Sequence, residues 1–225
     1  MRTLIALSGD IADPAACLRI ARTCSLVICA DGGAKHLRAL GIVPDRLVGD
    51  MDSIDGPSSV WMESRRVDIR RFPVEKDWTD SELAVNAALE AGTGEGDEIW
   101  MIGAIGDRLD HMLANLGIAA ALCARRIRTW LTDGMTYITA LRGPDELRID
   151  PVGMGLANPL VSVIPVPGAE LSGVTLDGLV YPLEDATLQA GSTCGVSNRV
   201  REGAERIAVR VKKGEGFVTL TPSER

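Results

Sequence analysis

Short apolar runs alternate with stretches whose apolar residues return at helical spacing over the first part of the chain. Thr3–Leu7, Leu26–Ala30, Arg46–Val48, Val67–Phe72, Glu98–Ile102 and Ile127–Leu131 read as strands. Pro14–Ala21, Ala34–Leu40, Pro57–Ser64, Thr79–Ala91 and Asp110–Ala124 read as helices. The punctuation agrees: Pro14 suits a first helical turn, and Gly41 and Gly92 stand where helices stop. Met135–Leu141 closes this half. Strands alternating with helices imply βαβ units, hence a mainly parallel sheet with helices on both faces. Past Gly143-Pro144 the pattern changes to short alternating runs separated by glycine and proline: Val161–Val166, Ala169–Leu171, Thr175–Leu179, Thr187–Gln189, Arg206–Val211 and Phe217–Thr221. No helical stretch remains, so a small all-β sandwich or barrel follows. The expected organisation is an α/β domain over 1–143 and a β-sandwich over 144–225.

Composition narrows the function without naming it. The 225 residues are 46% hydrophobic and 24% charged, a globular balance that argues against disorder. A net charge of −7 excludes a non-specific nucleic-acid partner, because phosphate backbones need a basic face. No apolar run reaches the ~18 residues that cross a bilayer. Met1–Leu7 runs straight into Ser8-Gly9-Asp10, too short for a signal-peptide core. Five cysteines, an odd number with no CxxC pair, point to reduced thiols in the cytoplasm. The two histidines, His36 and His111, have no cysteine at zinc-ligand spacing.

In parallel sheets covered on both faces, ligands sit beyond the carboxyl ends of the strands. Asp31-Gly32-Gly33, Asp50 with Asp52, and Gly103-Ala104-Ile105-Gly106 all follow strands. Positions i and i+2 of an extended chain point the same way, so Asp50 and Asp52 would aim two carboxylates at one spot. They repel unless a cation separates them, and oxygen-only ligands suit Mg²⁺, which completes its shell with water and phosphate. Gly, Asp and Ser are also ordinary turn formers. The convergence of several strand ends, more than any one of them, argues for a site. Thr79 and Glu82 have capping-box spacing, which leaves Asp80 at the helix start, able to complete a metal shell with Asp50 and Asp52. Lys76 just before it could reach a phosphate as a point charge. Between Gly103 and Asn115, glycines allow close backbone approach, and Arg108 offers a planar fork for phosphate oxygens. Asp110 and His111 stand near a helix N-terminus, where a cap would equally explain them. The chain contains neither GxxxxGK[ST] nor GxGxxG. In the β half, the Tyr181 ring could face a cationic heterocycle, and Ser197 and Asn198 could hydrogen-bond it.

The ordered set of segments resembles the thiamine pyrophosphokinases, also called thiamine diphosphokinases. The matching pieces are Asp31-Gly32-Gly33, Gly49-Asp50-Met51-Asp52-Ser53, Lys76-Asp77-Trp78-Thr79-Asp80, Gly106-Asp107-Arg108-Leu109-Asp110-His111, Leu113-Ala114-Asn115-Leu116, Gly178-Leu179-Val180-Tyr181-Pro182-Leu183 and Ser197-Asn198. The resemblance implies a nucleotide-binding α/β domain, a β-sandwich, and a homodimer whose sites lie between one subunit's first domain and the other's second. It implies transfer of a diphosphoryl group from ATP to the thiamine hydroxyl, giving thiamine diphosphate and AMP. Asp50, Asp52 and Asp80 would hold Mg²⁺. Asp31, Lys76, Thr79, Arg108 and Asp110 would line the ATP and reaction site, and Tyr181, Ser197 and Asn198 would hold thiamine. Asp110, or less favourably His111, would take the hydroxyl proton. Two positions depart from the pattern: Asp107 stands where a second glycine is expected, and Arg199 where an acid is. Two rival readings are a metal-dependent phosphohydrolase and a nucleotide-binding regulatory module. AMP release that requires thiamine would separate both from a transferase.

Overall fold

The computed structural model describes residues 1–75, 77–106 and 108–223. Lys76 and Asp107 therefore lie outside the described residues. The chain divides into two compact units, Met1–Gly134 and Met135–Arg225.

The first unit is a six-stranded parallel sheet with helices between successive strands. Its strands are β1 (Arg2–Ala6), β2 (Leu26–Ala30), β3 (Arg46–Gly49), β4 (Asp68–Arg71), β5 (Glu98–Ile102) and β6 (Arg128–Thr132). Its helices are α1 (Pro14–Ala21), α2 (Ala34–Leu40), α3 (Gly56–Ser64), α4 (Asp80–Glu90) and α5 (Leu109–Ala124). The spatial order is β6-β5-β1-β2-β3-β4. The chain starts in the middle, walks outward to β4, and returns past β1 to β5 and β6. Right-handed crossovers then put α1–α3 on one face and α4 and α5 on the other. Burial on both faces explains why the central strands are continuous apolar runs: Leu4, Ile5, Ile28, Leu47, Ile99, Met101 and Leu131 are all fully or almost fully buried. Trp100 and Trp130, register partners on β5 and β6, stack with ring centres 5.5 Å apart. Local signals set the helix starts: Asp13 accepts from the Ala15 and Ala16 N–H groups at 2.9 and 3.0 Å, and the Thr79 hydroxyl accepts from Glu82 N–H at 3.3 Å. Among the described residues no helix is long and apolar enough to cross a membrane.

The second unit is an antiparallel sandwich. Its strands are β7 (Tyr137–Arg142), β8 (Asp145–Ile149), β9 (Leu160–Pro165), β10 (Glu170–Asp177), β11 (Leu183–Gln189), β12 (Asn198–Arg199), β13 (Ile207–Val211) and β14 (Glu215–Thr221). One sheet runs β12-β9-β14-β7 and the other β11-β10-β13-β8. Val163, Val218, Leu171, Val174 and Val209 fill the space between them.

Three details differ from the pattern-based expectation. Tyr137–Arg142 pairs with β14, so the compact division falls before this strand rather than at 143/144. Asp145–Ile149 is a strand whose Leu147 and Ile149 point inward between charged neighbours. The runs Ala169–Leu171 and Thr175–Leu179 both fall largely within one strand, β10, that passes through Ser172-Gly173. The register slips there, and Gly173 takes a φ of +67°, so the glycine marks a bulge inside a strand and not its end.

Candidate active site

Three acids from three separate elements converge at the carboxyl edge of the parallel sheet. Asp31 follows β2 directly, Asp50 follows β3, and Asp80 opens α4. One carboxylate oxygen from each lies within 4.8 Å of the other two. Asp31 is 1% exposed, whereas Asp50 and Asp80 are half-buried. Its Oδ2 accepts from the Ser53 N–H at 3.2 Å, but its Oδ1 is buried without a hydrogen-bond partner. Burial pushes the Asp31 pKa up; the Ser53 hydrogen bonds pull against it, and the Asp80 and Asp50 charges add to the rise. Gly49 is the spacer that makes room. Its φ is +143°, and a β-carbon there would stand 2.8 Å from Asp31 Cβ and 3.4 Å from Asp80 Oδ1. Three carboxylates this close, one with a desolvated and unsatisfied oxygen, could hold a cation. The donor set is entirely oxygen, and that matches Mg²⁺.

Asp52 is not gathered into this cluster. It is exposed, and its backbone N–H, not its carboxylate, meets Asp50 Oδ1 at 3.2 Å. Met51 between them adopts a left-handed φ of +68°. That turn breaks the i/i+2 rule on which the Asp50–Asp52 expectation rests, and Asp31 stands beside Asp50 and Asp80 in its place.

Beside the cluster lies the point where the strand order reverses. Chains leave β1 and β5 in opposite directions, and a crevice opens between them. The loops after these strands continue the pairing: Leu7 N–H donates to Ile102 O at 2.9 Å, Gly9 N–H to Gly103 O at 2.9 Å, and Asp10 N–H to Ile105 O at 3.0 Å. Only glycine fits at position 9, since a β-carbon would come within 2.5 Å of Gly103 O. The result is a cavity of about 250 Å³ bordered by Ser8, Asp10, Ser81, Arg108, His111 and Asn115. Ser81 is the immediate neighbour of Asp80, which links the cavity to the acidic cluster. Buried Asn115 and half-buried His36 support its walls. Asn115 Nδ2 donates to Ala104 O at 3.0 Å, and His36 Nε2 lies 2.6 Å from Gly9 O. A carbonyl only accepts, so Nε2 carries a proton there, and burial lowers the His36 pKa. Arg108 forms a bidentate pair with Asp110, Nε to Oδ1 at 3.0 Å and Nη2 to Oδ2 at 2.7 Å, both side chains well exposed. The guanidinium holds the Asp110 carboxyl far below the usual carboxylate range.

In the second unit Tyr181 is 69% exposed and Ser197 is exposed, while Asn198 is buried with its amide turned to the Tyr181 main chain. Ser8-Gly9-Asp10, Ser81 and His36 were not singled out from sequence. Ser8-Gly9-Asp10 ends the first strand just as Asp31-Gly32-Gly33 ends the second, so the strand-end rule applied there too.

An all-carboxylate cluster beside a glycine-walled crevice at a strand-order reversal could serve an enzyme acting on phosphates. Residues 17–131 match the thiamin pyrophosphokinase catalytic domain, and residues 148–215 the thiamin pyrophosphokinase vitamin B1 binding domain. The chain is 31% identical to the thiamine pyrophosphokinase of Bacillus subtilis (strain 168), over 78% of each chain. It is 27% identical to thiamine pyrophosphokinase 1 of Arabidopsis thaliana, over 82% of this chain and 73% of that one. Among solved structures, the Bacillus subtilis thiamine pyrophosphokinase superposes with a TM-score of 0.83 at 24% identity, covering 99% of this chain and 100% of that one. The thiamin pyrophosphokinase from Candida albicans gives 0.80 at 17% identity, covering 97% and 89%. The chain belongs to the thiamine pyrophosphokinase family.

Proposed function

We propose that this protein transfers a diphosphoryl group from ATP to the hydroxyl of thiamine, giving thiamine diphosphate and AMP. The observation that carries the reading is the buried, unpaired Asp31 Oδ1 between two further carboxylates, in a chain of this family. Asp31, Asp50 and Asp80 would hold Mg²⁺, which when bound neutralises charge on the phosphate oxygens. Asp52, exposed beside Asp50, would join that shell by rearrangement of the Met51 turn. The glycine-walled crevice takes the phosphates, with hydroxyl donors from Ser8 and Ser81. Thr79 accepts from Glu82 N–H and retains its O–H to donate. Lys76, outside the described residues, completes the phosphate contacts in this reading. Arg108 exchanges Asp110 for phosphate oxygens, a swap between two bidentate partners of the same fork.

The thiamine hydroxyl oxygen attacks the β-phosphorus, and the bond from that phosphorus to the α-phosphate bridge oxygen breaks, releasing AMP. Such transfers rest on positioning and charge stabilisation more than on a strong base. Asp110, ionised while paired with Arg108, is a weak base that gains strength when Arg108 leaves it; His111 on the cavity wall is the alternative acceptor. Tyr181 and Ser197 would meet thiamine, with Asn198 supporting them. We assign the protein to a homodimer that joins one subunit's first domain to the other's second. Exposed Val180, Tyr181 and Val196 support an apolar contact there. A cytoplasmic setting fits five free thiols.

The test is AMP release from ATP and Mg²⁺ with and without thiamine. Release only with thiamine is expected. Thiamine-independent release would make the protein a phosphohydrolase, and Mg–ATP binding without turnover would make it a regulatory module.

A further inference from the structure

We propose that Asn198 is a positioning residue, which pins the Tyr181 peptide with its buried carboxamide and so presents the exposed Tyr181 ring in a fixed place for the thiamine ring. The proposal rests on the thiamine reading above.

Two segments of the second unit run antiparallel here. Leu179 bridges Val200, Arg201 N–H donates to Gly178 O at 2.9 Å, and Val180 N–H donates to Arg199 O at 2.9 Å. That register sets Tyr181 opposite Asn198. At this pair the side chain of Asn198 replaces the main-chain ladder. Its Oδ1 accepts from the Tyr181 N–H at 3.1 Å and the Arg199 N–H at 2.9 Å, and its Nδ2 donates to Tyr181 O at 2.7 Å. Both polar groups of the Tyr181 peptide are thereby held by one side chain, which is 4% exposed. The clasp has its own foundation. Asn198 and Arg199 pair with Val161 and Leu160 of β9, and the preceding Ser197 N–H donates to Ser162 Oγ at 3.0 Å.

Beyond the pinned peptide the situation reverses. The Tyr181 ring is 69% exposed, flanked by Val180 at 45%. Pro182 restricts the residue before it to an extended backbone, which removes further freedom from Tyr181. A large exposed ring on an immobilised peptide is a partly preorganised contact surface, whose backbone ordering entropy is lost on folding and not on binding. The buried amide cannot reach a ligand without releasing Tyr181, so its influence on thiamine runs through that ring.

The experiment is steady-state kinetics on the full chain for wild type, Asn198→Ala, Tyr181→Ala and the double variant. Thiamine-dependent AMP release by wild type is measured first, and its absence overturns the thiamine reading itself. Given that activity, Asn198→Ala should raise the thiamine KM roughly tenfold, the scale of one or two lost hydrogen bonds, and leave the ATP KM unchanged. In the Tyr181→Ala background the same substitution should add less than about twofold. An undiminished effect in that background, or one that falls on the ATP KM, would overturn the clamp while leaving the reaction intact. If Asn198→Ala fails to fold, the isosteric Asn198→Asp serves in the same cycle. It keeps the acceptor for both N–H groups, replaces the donor to Tyr181 O with a carboxylate oxygen that repels it, and should show the same dependence on Tyr181.

Discussion

The acidic rim of the first unit and the Tyr181–Asn198 clasp of the second treat buried polar groups in opposite ways. At the rim, Asp31 is 1% exposed with one oxygen unpaired and two like charges nearby. In the clasp, Asn198 is almost as buried, yet its amide makes three hydrogen bonds to backbone groups. The first arrangement leaves a desolvated carboxylate oxygen unsatisfied, at a cost in stability, and the second stabilises the fold as it stands. Here the unsatisfied oxygen stands within the carboxylate cluster, and the satisfied amide holds the neighbouring surface still.

That contrast is broken first at the rim. Asp80→Ala should lower the rate of AMP release by on the order of 10²-fold or more, the size of one lost preorganised electrostatic contact, with the fold retained by circular dichroism. Asp52→Ala sharpens the result: a loss of the same size would mean that the Met51 turn rearranges to bring Asp52 onto the ion.

Asp31→Asn should separate function from stability. With Mg²⁺ at about 100 times its Kd, wild type should gain roughly 2.7 kcal/mol, a Tm rise of about 5–10 °C, and the variant should gain far less. In EDTA the order reverses, and the variant should melt higher because no buried carboxylate has to ionise. The pH dependence follows from the raised Asp31 pKa. Between the ordinary carboxylate value and the raised one, the folded state holds more proton than the unfolded state. Metal-free stability contributed by Asp31 is thus lost as pH rises through that window. Urea titrations across acid to neutral pH should show a steeper decline for wild type than for Asp31→Asn.

Gly49→Ala should destabilise by about 1–3 kcal/mol, since it combines a φ of +143° with a β-carbon 2.8 Å from Asp31. Chemical denaturation with an unchanged m-value would confirm a local cause. The smallest effect belongs to the clasp's foundation: Ser162→Ala removes the acceptor of Ser197 N–H and should cost about 1 kcal/mol, with a slight rise in thiamine KM.

Much of the fold and a good part of the site were legible in the sequence, because they are written in local physics. The alternation of apolar runs with helical spacing specified the parallel sheet and its cover. Thr79 announced the start of α4, and thereby the place of Asp80. The glycine- and proline-punctuated alternation after residue 143 specified the antiparallel sandwich. Tertiary structure decided the rest. A single left-handed residue, Met51, separated Asp52 from Asp50, and that choice is set by packing and not by residue type. The pairing of β1 with β5 brought Ser8-Gly9-Asp10 against Gly103–Ile105 and created the crevice, because strand order depends on contacts between residues far apart in the chain. Asn198 became a substitute for a backbone ladder only where two distant segments met in register.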